Sequence, residues 1–164
     1  MNMADENFLG LDLHIGLIAD EEGCTFAGPY THVDLQAAVS TQRAPRALDL
    51  TTVEGKANLV QSLIVRLMTE RGELEALGHP DYGSRHHRLI GEPNTEGNRN
   101  LIKLYVLECL RQEPRLEAIQ RVEVKPGEGR ENRAKVVVNV TILVWSIPDP
   151  LSFVVPFSFG GPVA

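Results

Sequence analysis

Histidine and carboxylate side chains are the first candidates for chemistry in this sequence. His79, His86 and His87 lie close together along the chain, with Asp81 among them. Adjacent residues on a helix point about 100° apart, so His86 and His87 cannot easily bind one ion. The paired-cysteine and HExxH spacings of zinc sites do not occur. We therefore predict that these histidines belong to a loop and the surface, and we expect no metal and no cofactor.

Pairs of carboxylates could act as a glycosidase acid and its partner. Glu73 with Glu75, or Glu108 with Glu113, could be imagined as such a pair. However, the chain has a formal net charge of −6, and many other acidic pairs would look as good. The GxSxG, P-loop and GxGxxG motifs are also missing. The sequence therefore favours a protein that is not an enzyme and has no catalytic residues, with a peptidoglycan hydrolase as the alternative.

The turn Glu113-Pro114-Arg115 combines two opposite charges with a helix-ending proline. Pro114 biases Glu113 away from helical backbone angles. Charge-assisted hydrogen bonds from such side chains either fix a buried turn or bind a partner. We take these three residues as candidate contact residues.

Two amphipathic helices are predicted to position this turn. Apolar residues line one helical face over residues 57–68, with Gln61 off that face, and Thr51 precedes Glu54 at the spacing of a capping box. A second apolar stripe covers residues 102–110, after the candidate cap Thr95.

Alternating apolar residues predict strands at both ends of the chain. One strand is expected over residues 9–18, and several more follow the second helix. The run 136–144 has an unbroken β-branched face and a second face that turns apolar at one end. We therefore predict a central strand whose second face is also covered at that end.

The last predicted strand, Leu151 to Phe159, is apolar, aromatic and uncharged. Pro156 cannot donate a ladder hydrogen bond, which indicates a sheet edge. Such an edge invites pairing with another chain unless a loop or the N-terminal segment covers it, and the sequence leaves both alternatives open. The candidate partner-binding residues of this strand are Leu151, Phe153, Val155 and Phe157.

Together these elements predict an α+β fold, in which two main helices pack on a mostly antiparallel sheet as a two-layer sandwich with the C-terminal edge strand available for pairing. Residues 1–50 are expected to form an N-terminal strand and irregular extension, and residues 51–164 the main domain, within one compact unit.

The acidic balance argues against nucleic-acid binding and against a polybasic membrane-binding face. No apolar run approaches the roughly 20 residues that span a bilayer, and the N-terminus does not resemble a secretory signal, so we expect no membrane insertion.

Several short motifs together resemble a known family. They are Asn58-Leu59-Val60-Gln61 in the first helix, the Gly72-Glu73 pair, the loop Pro80-Asp81-Tyr82-Gly83-Ser84 and the turn Glu113-Pro114-Arg115. Their order and spacing resemble the baseplate wedge proteins of contractile phage tails, the family of phage baseplate protein W and its type VI secretion counterpart. The run 72–84 looks most like the versions in extracellular contractile injection systems.

The resemblance implies a structural role. Family members assemble in six-fold baseplates around the hub or spike, with other wedge subunits, the inner tube and the sheath as partners. Their C-terminal sheet resembles the strand-exchanging part of the sheath subunit, which implies a sheath initiator. The turn at Glu113, Pro114 and Arg115 would contact neighbouring wedge subunits. Such a protein would be assembled in the bacterial cytoplasm as part of a phage-tail-like particle that can be released from the cell.

Overall fold

The computed structural model describes residues 6–15, 19–20, 23–25, 35, 37–39, 48–130, 132–145 and 147–160. These residues contain two α-helices, nine strands and three short 3-10 helices. The α-helices are α1 (Gly55–Met68) and α2 (Glu96–Leu110). The strands are β1 (Leu11–Leu13), β2 (Ala19–Asp20), β3 (Gly23–Thr25), β4 (Ala37–Val39), β5 (Leu48–Leu50), β6 (Thr52–Glu54), β7 (Leu116–Pro126), β8 (Lys135–Val144) and β9 (Ile147–Ser158). The 3-10 helices cover Glu6–Leu9, Glu75–Leu77 and His86–Leu89.

The main sheet has the strand order β2-β3-β9-β8-β7. The long strands β7, β8 and β9 form an antiparallel meander with β8 in the middle, as the sequence predicts. The short strand β3 pairs in parallel with β9, and β2 pairs with β3. Two small antiparallel sheets pair β1 with β6 and β4 with β5, and isolated bridges join Ile15 to Leu35 and Glu70 to Ser84.

One hydrophobic core joins the two helices to one face of the main sheet. Every second residue of β8 from Val136 to Val144 is buried, because successive side chains of a strand point to opposite faces. The apolar stripes of α1 and α2 cover this face. The predicted α+β class, with two helices against a mostly antiparallel sheet, is confirmed.

The two helix starts differ in how well the sequence predicts them. Thr95 caps α2 as predicted, since its side chain accepts a hydrogen bond of 3.2 Å from the Asn98 N–H. The capping box at Thr51 and Glu54 is wrong, because residues 52–54 form β6 and pair with β1. Glu54 is the N-cap of α1 and makes no capping hydrogen bond with its side chain. Strand pairing therefore replaces the local cap.

The C-terminal strand does not form the outer edge of the sheet. β3 lies beside it and pairs with Phe153 and Val154. The N-terminal segment thus covers part of this edge, which is the second of the two alternatives left open by the sequence. On the second face of β8, Leu143 is half-buried and Trp145 is 55% exposed, so the predicted cover over that end is wrong for Trp145 within the described residues.

Candidate functional site

The turn after α2 holds a buried carboxylate. Glu113 is 6% exposed, and the Arg115 guanidinium donates from Nε to its Oε1 over 2.6 Å. The second oxygen, Oε2, lies 3.5 Å from Nη2 of Arg66 on α1. Burial raises the pKa of Glu113, but the hydrogen bonds and charge of Arg115, together with the charge of Arg66, lower this pKa more. The carboxyl therefore has a pKa below its ordinary value and is held ionised.

Arg115 links this turn to two other parts of the chain. Its Nη2 donates to the Ser62 hydroxyl on α1 over 2.8 Å, and its Nη1 donates to the Leu9 carbonyl over 3.4 Å. The predicted contact residues Glu113 and Arg115 are therefore brought together, and their described contacts lie inside the protein. Pro114 between them is exposed.

Two amide side chains of α1 hold the N-terminal segment. Asn58 Nδ2 donates to the Leu9 carbonyl over 2.9 Å, so this carbonyl accepts from both Asn58 and Arg115. Gln61 accepts from the Ile15 N–H over 2.9 Å and donates to the Leu13 carbonyl over 2.8 Å. We call this arrangement of Asn58, Gln61 and Arg115 around residues 9–15 the N-terminal clasp.

The clasp was not predicted from the sequence. The prediction that Gln61 lies off the buried face of α1 is wrong, because Gln61 is 3% exposed; Asn58 is 5% exposed. The signal that could have found them is the spacing of these amides, which lie three residues apart on one helical face next to Leu59 and Val60. Buried amides need hydrogen-bonding partners, and the backbone of residues 9–15 supplies them, except that Asn58 Oδ1 has no partner among the described residues.

The loop between the helices is built on the end of α1. The Ser84 N–H donates to the Thr69 carbonyl over 2.9 Å, and the Arg71 N–H donates to the Ser84 carbonyl over 3.1 Å. Gly83, which precedes Ser84, has φ +100°, and a Cβ there would lie 2.6 Å from the Thr69 oxygen. The Cζ atom of the Arg66 guanidinium lies 4.7 Å from the centroid of the Tyr82 ring. Because Arg66 also contacts the Glu113 carboxylate, it connects this loop to the turn after α2.

The candidate hydrolase carboxylates are engaged in other contacts. Glu108 accepts from Arg71 over 2.8 Å, and the same arginine binds Asp81 over 2.6 Å. Glu73 accepts a hydrogen bond from the Glu70 N–H over 3.1 Å, and Glu75 begins an exposed 3-10 turn. A general acid needs a raised pKa, which is the opposite of the shift at Glu113.

The histidines have structural contacts. His86 is 3% exposed, its Nδ1 lies 2.8 Å from the Ser84 hydroxyl, and its ring packs edge-on against Phe157. Burial, aided by the charge of neighbouring His87, lowers the pKa of His86 to about 3. His87 Nε2 lies 3.0 Å from the Leu67 carbonyl. The prediction of a surface position is therefore wrong for His86, and no group of side chains suited to a metal ion occurs among the described residues.

The candidate residues of the C-terminal strand point into the core. Phe153, Val155 and Phe157 are each at most 4% exposed, and Leu151 is half-buried. These side chains pack against the protein's own helices, so in the folded chain they cannot offer a surface to a partner. The outward face of β9 carries Ser152 and other residues of the opposite parity instead.

The outer edge of β7 has no neighbouring strand in the described part of the chain. The Gly127 N–H donates to the Lys135 carbonyl over 2.9 Å, so odd-numbered residues of β8 direct their backbone groups toward β7. The registered pairs of Glu123 with Asn139 and of Lys125 with Val137 extend this pattern. The N–H and C=O groups of Val124, which lies between them, therefore point away from the sheet.

Comparison with known proteins gives a consistent result. The crystal structure of a protein from Geobacter sulfurreducens, provisionally described as a tail lysozyme, is similar with a TM-score of 0.54 and 27% sequence identity, over 63% of this chain and 89% of that one. No curated protein sequence matches the chain. In the described residues, no helix is long and apolar enough to cross a membrane. The family model described as "Baseplate wedge protein gp25" matches residues 53–149, which is more than half of the sequence, and the chain therefore belongs to this family of phage baseplate components.

Proposed function

We propose that this protein is a structural wedge component of a contractile, phage-tail-like particle. It joins the inner baseplate and hub to the first sheath ring, and it starts sheath assembly by pairing a strand with another chain. Family membership supports the baseplate role. The observation that carries the strand pairing is the outer edge of β7, an eleven-residue strand with no described neighbour on that side.

The proposal places strand pairing at β7 rather than at β9. β9 already has β8 on one side and β3 on the other. An added strand on β7 would gain main-chain hydrogen bonds without displacing a described element. The charged side chains of β7 reduce indiscriminate edge pairing and leave partner choice to complementary charges.

The other proposed partners follow from the family. They are neighbouring wedge subunits, the hub, spike and inner tube proteins, and the sheath, in a six-fold particle assembled in the bacterial cytoplasm and able to leave the cell. Glu113 and Arg115 serve this assembly as positioning residues, because their side chains fix the turn internally. Pro114, exposed between them, is the part of the turn that a neighbouring subunit would contact.

Strand pairing is tested by a matched pair of variants at one outward-facing position. Val124→Pro removes an N–H that points away from the sheet. Val124→Ala keeps that N–H and removes two side-chain carbons, so it controls for loss of the valine side chain. We expect Val124→Pro to enter baseplates that carry no extended sheath, while Val124→Ala builds normal sheaths. Electron microscopy of particles from the native host measures both. Normal sheaths with Val124→Pro, in a protein shown to be folded, would contradict the role of β7.

We also propose that the protein is not an enzyme. The alternative, a peptidoglycan hydrolase, is favoured by the similarity to the protein described as a tail lysozyme. It needs two carboxylates in a cleft, one of them protonated near neutral pH. A turbidity assay on purified cell walls tests it, and we expect no clearing. Clearing that is lost in Glu108→Gln or Glu113→Gln, with the fold intact, would establish the hydrolase instead.

A further inference from the structure

Two cavities between α2 and β7 lie along the open edge of the sheet, and we treat them as the two ends of one groove. At one end it is lined by Arg99 and Lys103 of α2 and by residues 122–126 of β7. At the other end it is lined by Leu107 and Leu110 of α2, by Arg111, which is the C-cap of α2, and by residues 116–119 of β7. The helix and the strand therefore run antiparallel to each other along the groove. We call it the α2–β7 groove.

The helix wall of this groove has a regular pattern. Arg99, Lys103, Leu107 and Arg111 are each four residues apart, which places them in one row along α2. Four helical residues advance about 6 Å, and two strand residues advance about 6.8 Å. Every second side chain of a strand added to β7 would therefore lie opposite one member of this row. The row offers two positive charges, an apolar side chain and a third positive charge.

The positive charges in the row are not neutralised by described ion pairs. No ion pair recorded among the described residues involves Arg99, Lys103 or Arg111. Among the described residues, the Arg99 guanidinium donates to Asn94, which is neutral. Of the acidic residues that line the groove, Glu123 pairs with arginine and lysine of its own strand and Glu113 with Arg115, which leaves Glu96 and Glu117. Within the described part of the chain, three cations without an ion pair therefore face two carboxylates without one, and these groups of the groove together carry a net positive charge.

We propose that the α2–β7 groove selects a partner strand of defined chemistry, with Asp or Glu opposite Arg99 and Lys103, a large apolar residue opposite Leu107, and a further acidic residue opposite Arg111. The partner is an extended segment of another particle protein. Complementary charge makes this segment the favoured occupant, since matching charges speed association and like charges oppose it. This inference rests on the proposed strand pairing at β7 and specifies its partner.

Charge reversal in the row is the first test. Lys103→Glu should reduce the number of sheathed particles about tenfold or more, because an acidic residue would then face an acidic strand. Lys56→Glu, at an exposed position on α1, is the matched control and should assemble normally. The baseplate content of each preparation, measured by mass spectrometry, shows that both variants are incorporated. Normal sheath growth with Lys103→Glu would overturn the proposal.

Photo-crosslinking identifies the occupant directly. Replacing Lys103 by p-benzoylphenylalanine in assembled particles should crosslink to a segment with acidic residues at alternate positions. A neutral or basic segment, or no crosslink in sheathed particles, would overturn the proposal. Failure of this inference is distinguishable from failure of the strand-pairing function. If Val124→Pro blocks sheath growth and Lys103→Glu does not, pairing at β7 is supported and the acidic partner is contradicted. If Val124→Pro assembles normally, both fall.

Discussion

At the scale of single residues, the buried Glu113 carboxylate is the point where three parts of the chain meet. Its oxygens contact Arg115 in the same turn and Arg66 on α1, and Arg115 reaches onward to the Leu9 carbonyl. A buried charge is costly without partners, so each of these contacts matters more than a comparable pair on the surface. The turn at residues 113–115 therefore stabilises the fold through internal contacts, in addition to any contact it makes with a partner.

Arg115→Ala should destabilise the isolated protein. Removing the guanidinium leaves Glu113 with one ionic partner at 3.5 Å and deprives Ser62 and Leu9 of a donor. We expect a loss of about 2–4 kcal/mol in the free energy of unfolding, measured by urea denaturation. Arg121→Ala removes an exposed arginine that is paired with Glu123, and should cost less than about 1 kcal/mol. Equal losses in the two variants would contradict the role assigned to the turn.

His86 should make stability depend on pH between neutral and mildly acidic conditions. Its pKa is about 3 in the folded protein, below the ordinary value of 6.5, so the unfolded chain binds the proton more readily. The stabilisation is therefore present above about pH 6.5 and is lost as the pH falls toward 3. From pH 7 to 5 the free energy of unfolding should fall by up to about 2 kcal/mol.

His86→Leu should flatten this profile, and an unchanged profile in urea denaturation would contradict the assignment. Glu113 does not interfere, because a lowered carboxyl pKa affects stability only in the more acidic range below its ordinary value of 4.5.

At the scale of elements, the loop between the helices depends on close backbone approach at one glycine. Gly83 and Gly72 both have positive φ, at +100° and +96°. A Cβ at Gly83 would collide with the Thr69 oxygen, whereas a Cβ at Gly72 would meet no atom within 4 Å. Gly72→Ala therefore reports backbone strain alone, and Gly83→Ala reports strain plus collision.

Gly83→Ala should therefore be the more damaging substitution. We expect Gly72→Ala to cost about 1 kcal/mol and Gly83→Ala about 3 kcal/mol or more. Thermal unfolding of both variants measures the difference. Amide hydrogen exchange at Ser84 and Arg71, whose N–H groups close the loop, should accelerate in Gly83→Ala only. Equal effects would mean that the loop moves freely away from the end of α1.

The periodicity of apolar residues predicted the types of the helices and strands better than it predicted which elements pack or pair with one another. The β-branched alternation of residues 136–144 and the apolar stripes of both helices gave the right element types, because burial of one face imposes those periods. The partner of β9 was not predictable, since β3 is three residues long and its pairing is non-local. Glu113 and Arg115 of the predicted contact turn do contact each other. The other partners of Arg115 are Ser62 and Leu9, which lie 53 and 106 residues away from it in the sequence. Sequence spacing carries no information about contacts at that range.

At the scale of the whole molecule, the N-terminal segment is connected to the main domain at several described points. The N-terminal clasp binds the backbone of residues 9–15, Leu9 is 2% exposed in the core, and β3 lies beside β9. The boundary predicted at residue 50 separates two stretches of the chain that these contacts connect. They make the two parts interdependent, since neither Asn58 nor Gln61 keeps its partners when the segment is absent.

A fragment of residues 51–164 should therefore be markedly less stable than the full chain. It would leave the Asn58 and Gln61 amides without backbone partners, expose the core surface that Leu9 covers, and open the edge of β9 at Phe153 and Val154. Each lost hydrogen bond alone costs about 0.5–1.5 kcal/mol. We expect the fragment to unfold with a lower midpoint in urea and to associate in a concentration-dependent way, measured by sedimentation.

A synthetic peptide of residues 1–25, added in excess, should restore stability by mass action. The same peptide should do less for a fragment carrying Gln61→Leu, which lacks both hydrogen bonds to the Leu13 and Ile15 backbone. A 51–164 fragment as stable as the full chain, and indifferent to the peptide, would show that the segment is an appendage rather than part of the fold.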